Sequence, residues 1–568
     1  MAITPMAQPA ALTAAVPSRR PEVELLLACA VIRAEDERNR RIRELLVGPI
    51  DWAYLLWVAY PQGMLPLLFR RLQVAAPELV PENTYRQLEN NYENNRRRQQ
   101  NALDELRGVL RLFASQGIAA VPMKEPFLGS EVYGDPGLRQ FEPQDILVRE
   151  RDVHRARALL TGRGYRSVYR LTPAQAAALR QSRCAAIMHH DERGVRVHLY
   201  DRFAPPFVPF RADSNDVWTR LRWINVEGEE FPSLSPEDLL QVLSVHGAIN
   251  MWERLSWICD VALLIERHPE MDWQGVMQRA RAAHGGRMML LALHVAHDLL
   301  GARLPPAVLR RVEADPVVAQ LGEKVRARLY RETPGPAGDV ERSLFRLQVA
   351  DAPLDKVHYT LRFGVTPTVD EWKTLQLPDP LFPAYYVIRP VRLLSRQVKK
   401  ILRRKKPVPF YPSPIEVVDR MLELAEVGGD DVVYDLGCGD GRMVIQAARR
   451  FGARGVGVDI DADLIAQARA NARAAGVEHL VTFIQQDALT LDLTPATVVM
   501  LWMLQSFNIR LRPKLQTQLR PGARIVAHGF DLGDWKPMHT ELIPWTNNLA
   551  VAFLWRIEKS PNGVAAPV

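Results

Sequence analysis

The 568-residue chain is poor in cysteine, with Cys29, Cys184, Cys259 and Cys438 each far from the next. No C-x-x-C pair occurs, so neither a structural zinc site nor a disulfide framework is expected, and a reducing compartment fits best. Long apolar runs are missing as well. The Met288–Leu300 stretch is broken by His294 and His297, and no segment reaches the roughly 18 to 20 apolar residues of a membrane span. The first 21 residues are rich in Ala and Pro and lack a basic segment ahead of an apolar run. They read as a disordered tail rather than a signal peptide. No internal repeat is found. A net charge of +8 permits an anionic partner without requiring one. The expectation is a soluble, cytoplasmic protein without a membrane span.

What is present is an ordinary globular composition, 47% hydrophobic and 24% charged. At roughly 150 residues per domain, this length calls for more than one core. Residues 22–113 read as helices, through apolar spacings such as Leu25, Leu26, Cys29 and Ile32. The run Glu89–Gln100 carries three arginines among neutral amides and reads as an exposed helix face, so nucleic acid is not an expected partner. Strands are expected at Ile118–Met123 and Asp145–Val148, a helix at Arg151–Gly162, and a strand at Val195–Tyr200 after a His-His-Asp turn. From Ser235 to Arg331 the pattern is helical again, with Ser235 as a helix start. Residues 397–407, including Lys399–Lys406, read as a basic linker. From 408 onward apolar runs alternate with helical ones, as in a doubly wound α/β domain.

That last segment carries the clearest chemistry. A buried-strand pattern, Asp431–Asp435, runs straight into Leu436-Gly437-Cys438-Gly439-Asp440-Gly441-Arg442. Glycines at 437, 439 and 441 permit backbone angles and close approach that side chains forbid. A second strand ends in Asp459, where a carboxylate can accept from two ribose hydroxyls. The spacing is G-x-G-x-G, and Asp435 stands just before the turn, where it can face a cation. Both features favour S-adenosylmethionine over a dinucleotide pyrophosphate.

Residues 408–557 resemble the class I S-adenosylmethionine-dependent methyltransferases, in the lineage that includes lysine methyltransferases of ATP-synthase c-subunit type. The matching pieces are Phe410–Ser413, Val433–Arg442, Gly455–Asp461 and Phe483–Ala488. The resemblance implies a Rossmann-like fold with Gly437 and Gly439 under the methionine portion of the cofactor. It also implies that Asp459 holds the ribose, that Asp487 meets the adenine amino group and that Tyr411 helps close the site. One departure falls on the acceptor side. The lineage has an aromatic-x-Leu-Pro motif there, whereas this chain reads Trp502-Met503-Leu504-Gln505. No general base stands out, and none is needed beyond a positioned, deprotonated acceptor. Trp502 and Phe507 can wall the acceptor or pack the core.

Residues 22–396 resemble an uncharacterised nucleotidyltransferase family related to polymerase-β-like enzymes. The resemblance rests on Val121–Lys124, Tyr133–Arg139, Asp145–Val148, Val195–Leu199 and the helical signature around Asp238, His246, Trp257 and Asp260. It implies an α+β domain with helical flanks. Such enzymes hold two metal ions with three acids. Here only Asp145 remains, because the other two positions are Pro143 and Arg196. Lys124 survives and can touch a phosphate. The reading is a domain that has lost catalysis and recognises a nucleotide-like ligand, a partner or the substrate. His189, His190, Asp191 and His198 suggest a metal cluster only at a glance, and no metal is expected. The expected function is methyl transfer from S-adenosylmethionine to a protein or small-molecule acceptor, with a protein lysine in front. Nucleotidyl transfer to a hydroxyl and a non-catalytic scaffold are the alternatives.

Overall fold

The computed structural model describes residues 20–558 apart from 33, 125–127, 141–142, 170, 183–185, 212–213, 331–337, 369–370, 373–374, 376, 403–411, 504, 534 and 546–547. Two compact units part between Val398 and Lys399. That point lies inside a helix, Tyr385–Leu402, so the segment read as a basic linker starts as helix. Residues 403–407 of it, and 1–19 of the expected tail, lie outside the described residues.

The first unit opens on helices whose apolar stripes are buried, as Leu25, Leu26 and Cys29 are on Pro21–Ala30. The 34-residue helix Glu82–Ser115 lays Leu103, Leu106, Leu110 and Phe113 on a five-stranded sheet. Its Arg96–Arg98 run is exposed, as the sequence suggests, but the flanking amides are not. Asn95 donates to the carbonyls of Gly137 and Arg139 at 2.9 and 2.7 Å, and Gln99 to Arg139 at 3.0 Å. The helix face read as solvated therefore anchors the Tyr133–Arg139 loop.

The sheet strands are β1 (Ala120–Pro122), β2 (Gln144–Val148), β3 (Arg166–Ser167), β4 (Ala186–His190) and β5 (Val195–Tyr200). Their order is β1-β2-β5-β4-β3, with β2 and β5 parallel and the other pairs antiparallel. The expected His-His-Asp turn is corrected here. His189 and His190 complete β4, and the turn spans residues 191–194. Their polarity misled, because the His190 ring is buried edge-on against Tyr165, centroids 5.2 Å apart. A hairpin, β6 (Arg222–Val226) and β7 (Glu229–Ser233), was not visible in the alternation. Its turn places both Glu227 and Gly228 at positive φ, the twist-matched two-residue connection. Beyond it, the Ser235 hydroxyl caps Pro236–Ile249 by accepting from the Asp238 amide at 3.1 Å.

The second unit is a seven-stranded sheet of β8 (Val432–Leu436), β9 (Arg454–Asp459), β10 (Val481–Gln485), β11 (Val498–Leu501), β12 (Arg524–His528), β13 (His539–Trp545) and β14 (Asn548–Arg556). The order is β10-β9-β8-β11-β12-β14-β13. The first five run parallel, and β14 is antiparallel to both of its neighbours. Central strands are apolar on both faces because helices cover both; Val433, Val498, Met500 and Val526 are fully buried. Strand order reverses at β8, so the crevice at the carboxyl ends of β8, β9 and β11 is where this topology opens to a ligand. Among the described residues, no helix is long and apolar enough to cross a membrane.

Gly441 begins the helix Arg442–Phe451 at φ +81°, and a Cβ there would meet the Phe483 ring at 2.7 Å. Gly452, which ends that helix at φ +70°, has open space around it. Gly452→Ala is therefore expected to cost only the backbone strain, about 1 kcal/mol. Gly441→Ala should cost about 3 kcal/mol or more, since the ring contact adds to that strain. Urea unfolding of the full chain measures both, and equal losses would contradict the packing described.

Candidate functional site

The turn after β8 is held in three left-handed glycines, Gly437 at φ +95°, Gly439 at +54° and Gly441 at +81°. Strain of this kind persists only where the surroundings impose it, and here β9 does so. The amides of Gly437 and Cys438 both donate to the Val458 carbonyl, at 2.8 and 2.9 Å. The Gly439 amide donates to Asp459 Oδ2 at 3.0 Å, and the Asp461 amide to Asp459 Oδ1 at 2.9 Å. Each carboxylate oxygen thus accepts one amide and keeps acceptor capacity for a further donor. Asp459 orients the turn as well as facing the crevice. At Gly437 a Cβ would lie 2.5 Å from Met503 Sδ, so the backbone is already as close to its neighbour as glycine permits.

Asp435 lies one residue before the end of β8 and is 3% exposed. Among the described residues its carboxyl has no hydrogen-bond donor or cation. Burial, together with the charges of Asp459 and Asp440, pushes its pKa up to about 8. Asp440, by contrast, is paired with the Arg442 guanidinium at 2.6 and 2.9 Å, and Arg442 also donates to the Ser413 carbonyl at 2.6 Å. The Cys438 thiol is raised by burial, then by Asp435 and Asp459, so it is no nucleophile. The arrangement is an anion receptor in reverse: a buried acid that lacks its cation.

The outer walls come from neighbouring strand ends. Gln485 pairs with Asp459, and Asp487 lies two residues beyond the end of β10; it is exposed, and it accepts from the Leu489 amide at 3.0 Å. Ile460, directly after Asp459, is 45% exposed, an apolar surface at the crevice that no sequence pattern singles out. Tyr411 lies outside the described residues. On the other side, Trp502 follows β11 and packs on His528 at the end of β12, with ring centroids 4.4 Å apart. The Ser413 hydroxyl sits 3.2 Å from His528 Nδ1. Burial lowers the His528 pKa to about 4, so this ring is neutral at physiological pH. Sequence reasoning missed His528; its only local signal is a histidine closing an apolar strand. The crevice therefore offers a buried carboxyl for a cation, an amide-held carboxylate for hydroxyls, an exposed aliphatic surface for a flat base and a neutral aromatic wall. Those groups fit S-adenosylmethionine.

In the first unit, Asp145 pairs with His198 across parallel strands β2 and β5. The Lys124 ammonium lies 3.0 Å from Asp145 Oδ2, and His198 Nδ1 lies 3.1 Å from Oδ1. Burial alone would raise the Asp145 pKa, but Lys124 and His198 hold it well below the usual carboxylate range. Arg196 is exposed two residues before His198, on the same face of β5. No group of three potential metal ligands occurs among the described residues. The one retained acid is thus occupied by side chains of the protein, and so is Lys124.

Residues 48–301 match the family described as uncharacterised nucleotidyltransferase, and residues 435–539 match the ANTKMT methyltransferase domain. The chain is 44% identical over 131 residues to the protein-lysine N-methyltransferase of Saccharolobus islandicus (strain REY15A), covering 23% of this chain and 81% of that protein. It is 33% identical over 132 residues to the adenine nucleotide translocase lysine N-methyltransferase of Mus musculus, covering 23% of this chain and 57% of that one. This chain thus spans less than two thirds of the mouse protein. Among solved structures, the RNA methyltransferase of Salinibacter ruber in complex with S-adenosyl-L-homocysteine is 51% identical, covering 26% of this chain and 95% of its own, with a TM-score of 0.25.

The unpaired Asp435 makes stability depend on pH. The folded state keeps its proton where the unfolded chain has already released it. In the ligand-free protein the contribution of Asp435 is therefore fully present below the ordinary carboxyl value of 3.8 and is lost as pH rises to about 8. Relative to Asp435→Asn, the wild type should lose about 1.4 kcal/mol per pH unit across that window. Denaturant unfolding at several pH values measures the slope, and parallel curves would mean that Asp435 is not buried unpaired.

Proposed function

The chain belongs to the family of the protein-lysine N-methyltransferases, and on that premise we propose that it methylates the side-chain amine of a lysine in a protein acceptor. S-adenosylmethionine is the cofactor of the methyltransferase domain, and when bound it supplies an electrophilic methyl group on a sulfonium. The observation that carries the reading is Asp435, a buried carboxyl with no cation against it among the described residues, raised to about 8 by burial and by the charges of Asp459 and Asp440. The amino group of the cofactor's methionine portion would be the cation that relieves it, held by Asp435 with the backbone of Gly437 and Gly439. Asp459 accepts from the ribose hydroxyls with the lone pairs its two amide donors leave free. Asp487 and Ile460, beyond the ends of β10 and β9, would hold the adenine.

The protein's part in the transfer is positioning and exclusion of water. The acceptor amine needs its lone pair, and a cation already bound in the crevice disfavours a second, protonated one beside it. His528, held neutral, adds no further positive charge, and Trp502, packed on it, offers an apolar wall to the methylenes of the acceptor side chain.

Residues 22–396 form the recognition part of this proposal and residues 408–568 the catalytic part. Support for the first comes from Asp145, whose carboxylate is neutralised by Lys124 and His198 and so is not left for Mg²⁺. A Mg²⁺-dependent nucleotidyl transfer has no acid cluster to work from among the described residues.

With methyl-tritiated S-adenosylmethionine and an extract of the source cells, the wild type is expected to label protease-sensitive material that yields methyl-lysine on hydrolysis. Label removed by ribonuclease instead would replace the lysine with an RNA acceptor. Asp459→Ala removes an acceptor of two amides and of the ribose, so affinity for S-adenosylhomocysteine should fall at least about a hundredfold by calorimetry. The same variant should also unfold earlier, because the turn loses its anchor. Unchanged affinity would remove Asp459 from the site.

A further inference from the structure

Eleven of the twenty large apolar side chains exposed among the described residues fall between Val340 and Val391, about a tenth of the chain. They gather on helix faces. On Pro353–Val365, Leu354, Val357, Leu361 and Val365 follow one another at spacings of three and four and are 41% to 80% exposed. The opposite face is docked: Asp355 is buried and Tyr359 packs on Phe207. Lys356 and Arg362 stand exposed beside the stripe.

The helix Tyr385–Leu402 has the same division. Tyr385 is fully buried, and Arg389 and Arg392 both reach Glu371 at 2.9 Å. Val387 and Val391 point away and are 67% and 60% exposed. In sequence the stripe continues at four- and three-residue spacing through Leu394, Val398 and Ile401, with Arg396, Lys399 and Lys400 between. Arg389 joins the two helices, donating to the Phe363 carbonyl at 3.0 Å with its guanidinium 5.2 Å from the Phe363 ring centre.

Charge selects the occupant. Between residues 380 and 415 there are nine Lys and Arg and no Asp or Glu; Arg389 and Arg392 are taken up by Glu371, and the other seven follow one another from Arg396 to Lys406. A second copy of this chain would bring cations against cations. A nucleic acid would take up the charge but leave the aliphatic stripe in water. An anionic lipid surface satisfies both, because its headgroups meet the cations while the boundary of the acyl chains receives the aliphatic face. We propose that the paired helices Pro353–Val365 and Tyr385–Leu402 form an interfacial surface that lies on anionic phospholipid, without spanning the bilayer. This surface does not depend on the methyltransferase reading.

The test is co-sedimentation of the full chain with vesicles of phosphatidylcholine alone or with about a third phosphatidylglycerol. Binding is expected to the anionic vesicles and not to the neutral ones, weakened but not abolished by high salt, because the aliphatic contribution is unscreened. V387D/V391D and, separately, L361D should each weaken binding at least tenfold with unchanged circular dichroism, since all three positions are exposed. Four results would overturn the proposal: no sedimentation at low salt; equal binding by the variants; binding of an RNA oligonucleotide with none to vesicles; or a dimer in light scattering that V387D/V391D dissolves.

Discussion

The grip of two backbone amides on the Asp459 carboxylate is the contact from which the catalytic end of the molecule is built. Gly439 and Asp461 donate to its two oxygens, and the Val458 carbonyl takes two more amides from the same turn. Three of these hydrogen bonds, from Gly437, Cys438 and Gly439, tie the end of β8 to the end of β9 and keep three left-handed glycines in place, while the Asp461 amide fixes the Asp459 carboxylate itself. The turn in turn sets where the helix after it begins and leaves Asp435 sealed at the strand end. An acid at that position is a liability until a cation arrives, which is what a receptor for a cationic ligand requires.

The two units of this chain each bury an aspartate at a strand, and they treat it in opposite ways. Asp145 has Lys124 and His198 against it, and its carboxylate is held strongly ionised. Asp435 has no cation against it among the described residues, and burial with the charges of Asp459 and Asp440 pushes it the other way, to about 8. A satisfied buried charge contributes to the fold and leaves little for a ligand; an unsatisfied one costs stability and reserves binding energy. On that criterion the nucleotidyltransferase-like unit has internalised its remaining acid, while the methyltransferase unit keeps its own open.

Much of the second unit was legible from the chain. Strands ending at Asp435, Asp459 and Ile484 were expected within a residue or two, because apolar runs bounded by glycine and acid are local signals. The G-x-G-x-G spacing pointed to the turn, and the acids around it to the ligand. Less of the first unit could be read. His189 and His190 look like turn residues until Tyr165 covers one of them, Asn95 and Gln99 look solvated until a loop some forty residues later needs their amides, and the β6–β7 hairpin hides in a charged Glu-Gly turn. The Ser413–His528 contact joins positions 115 residues apart. None of these has a periodicity of its own.

The sequence by itself determined the kinds of groups available: glycines where the backbone must turn left-handed and acids at strand ends. These follow from residue type and spacing within a few positions, whereas reading Pro143 and Arg196 as replaced metal ligands needed the resemblance to a nucleotidyltransferase family. Only the tertiary structure decided which groups are paired. Asp145 meets His198 across 53 residues and Lys124 across a strand pair, while Asp435 meets no donor among the described residues. Pairing depends on which strand lies beside which, and strand order is set by packing of the whole sheet rather than by any local stretch of chain.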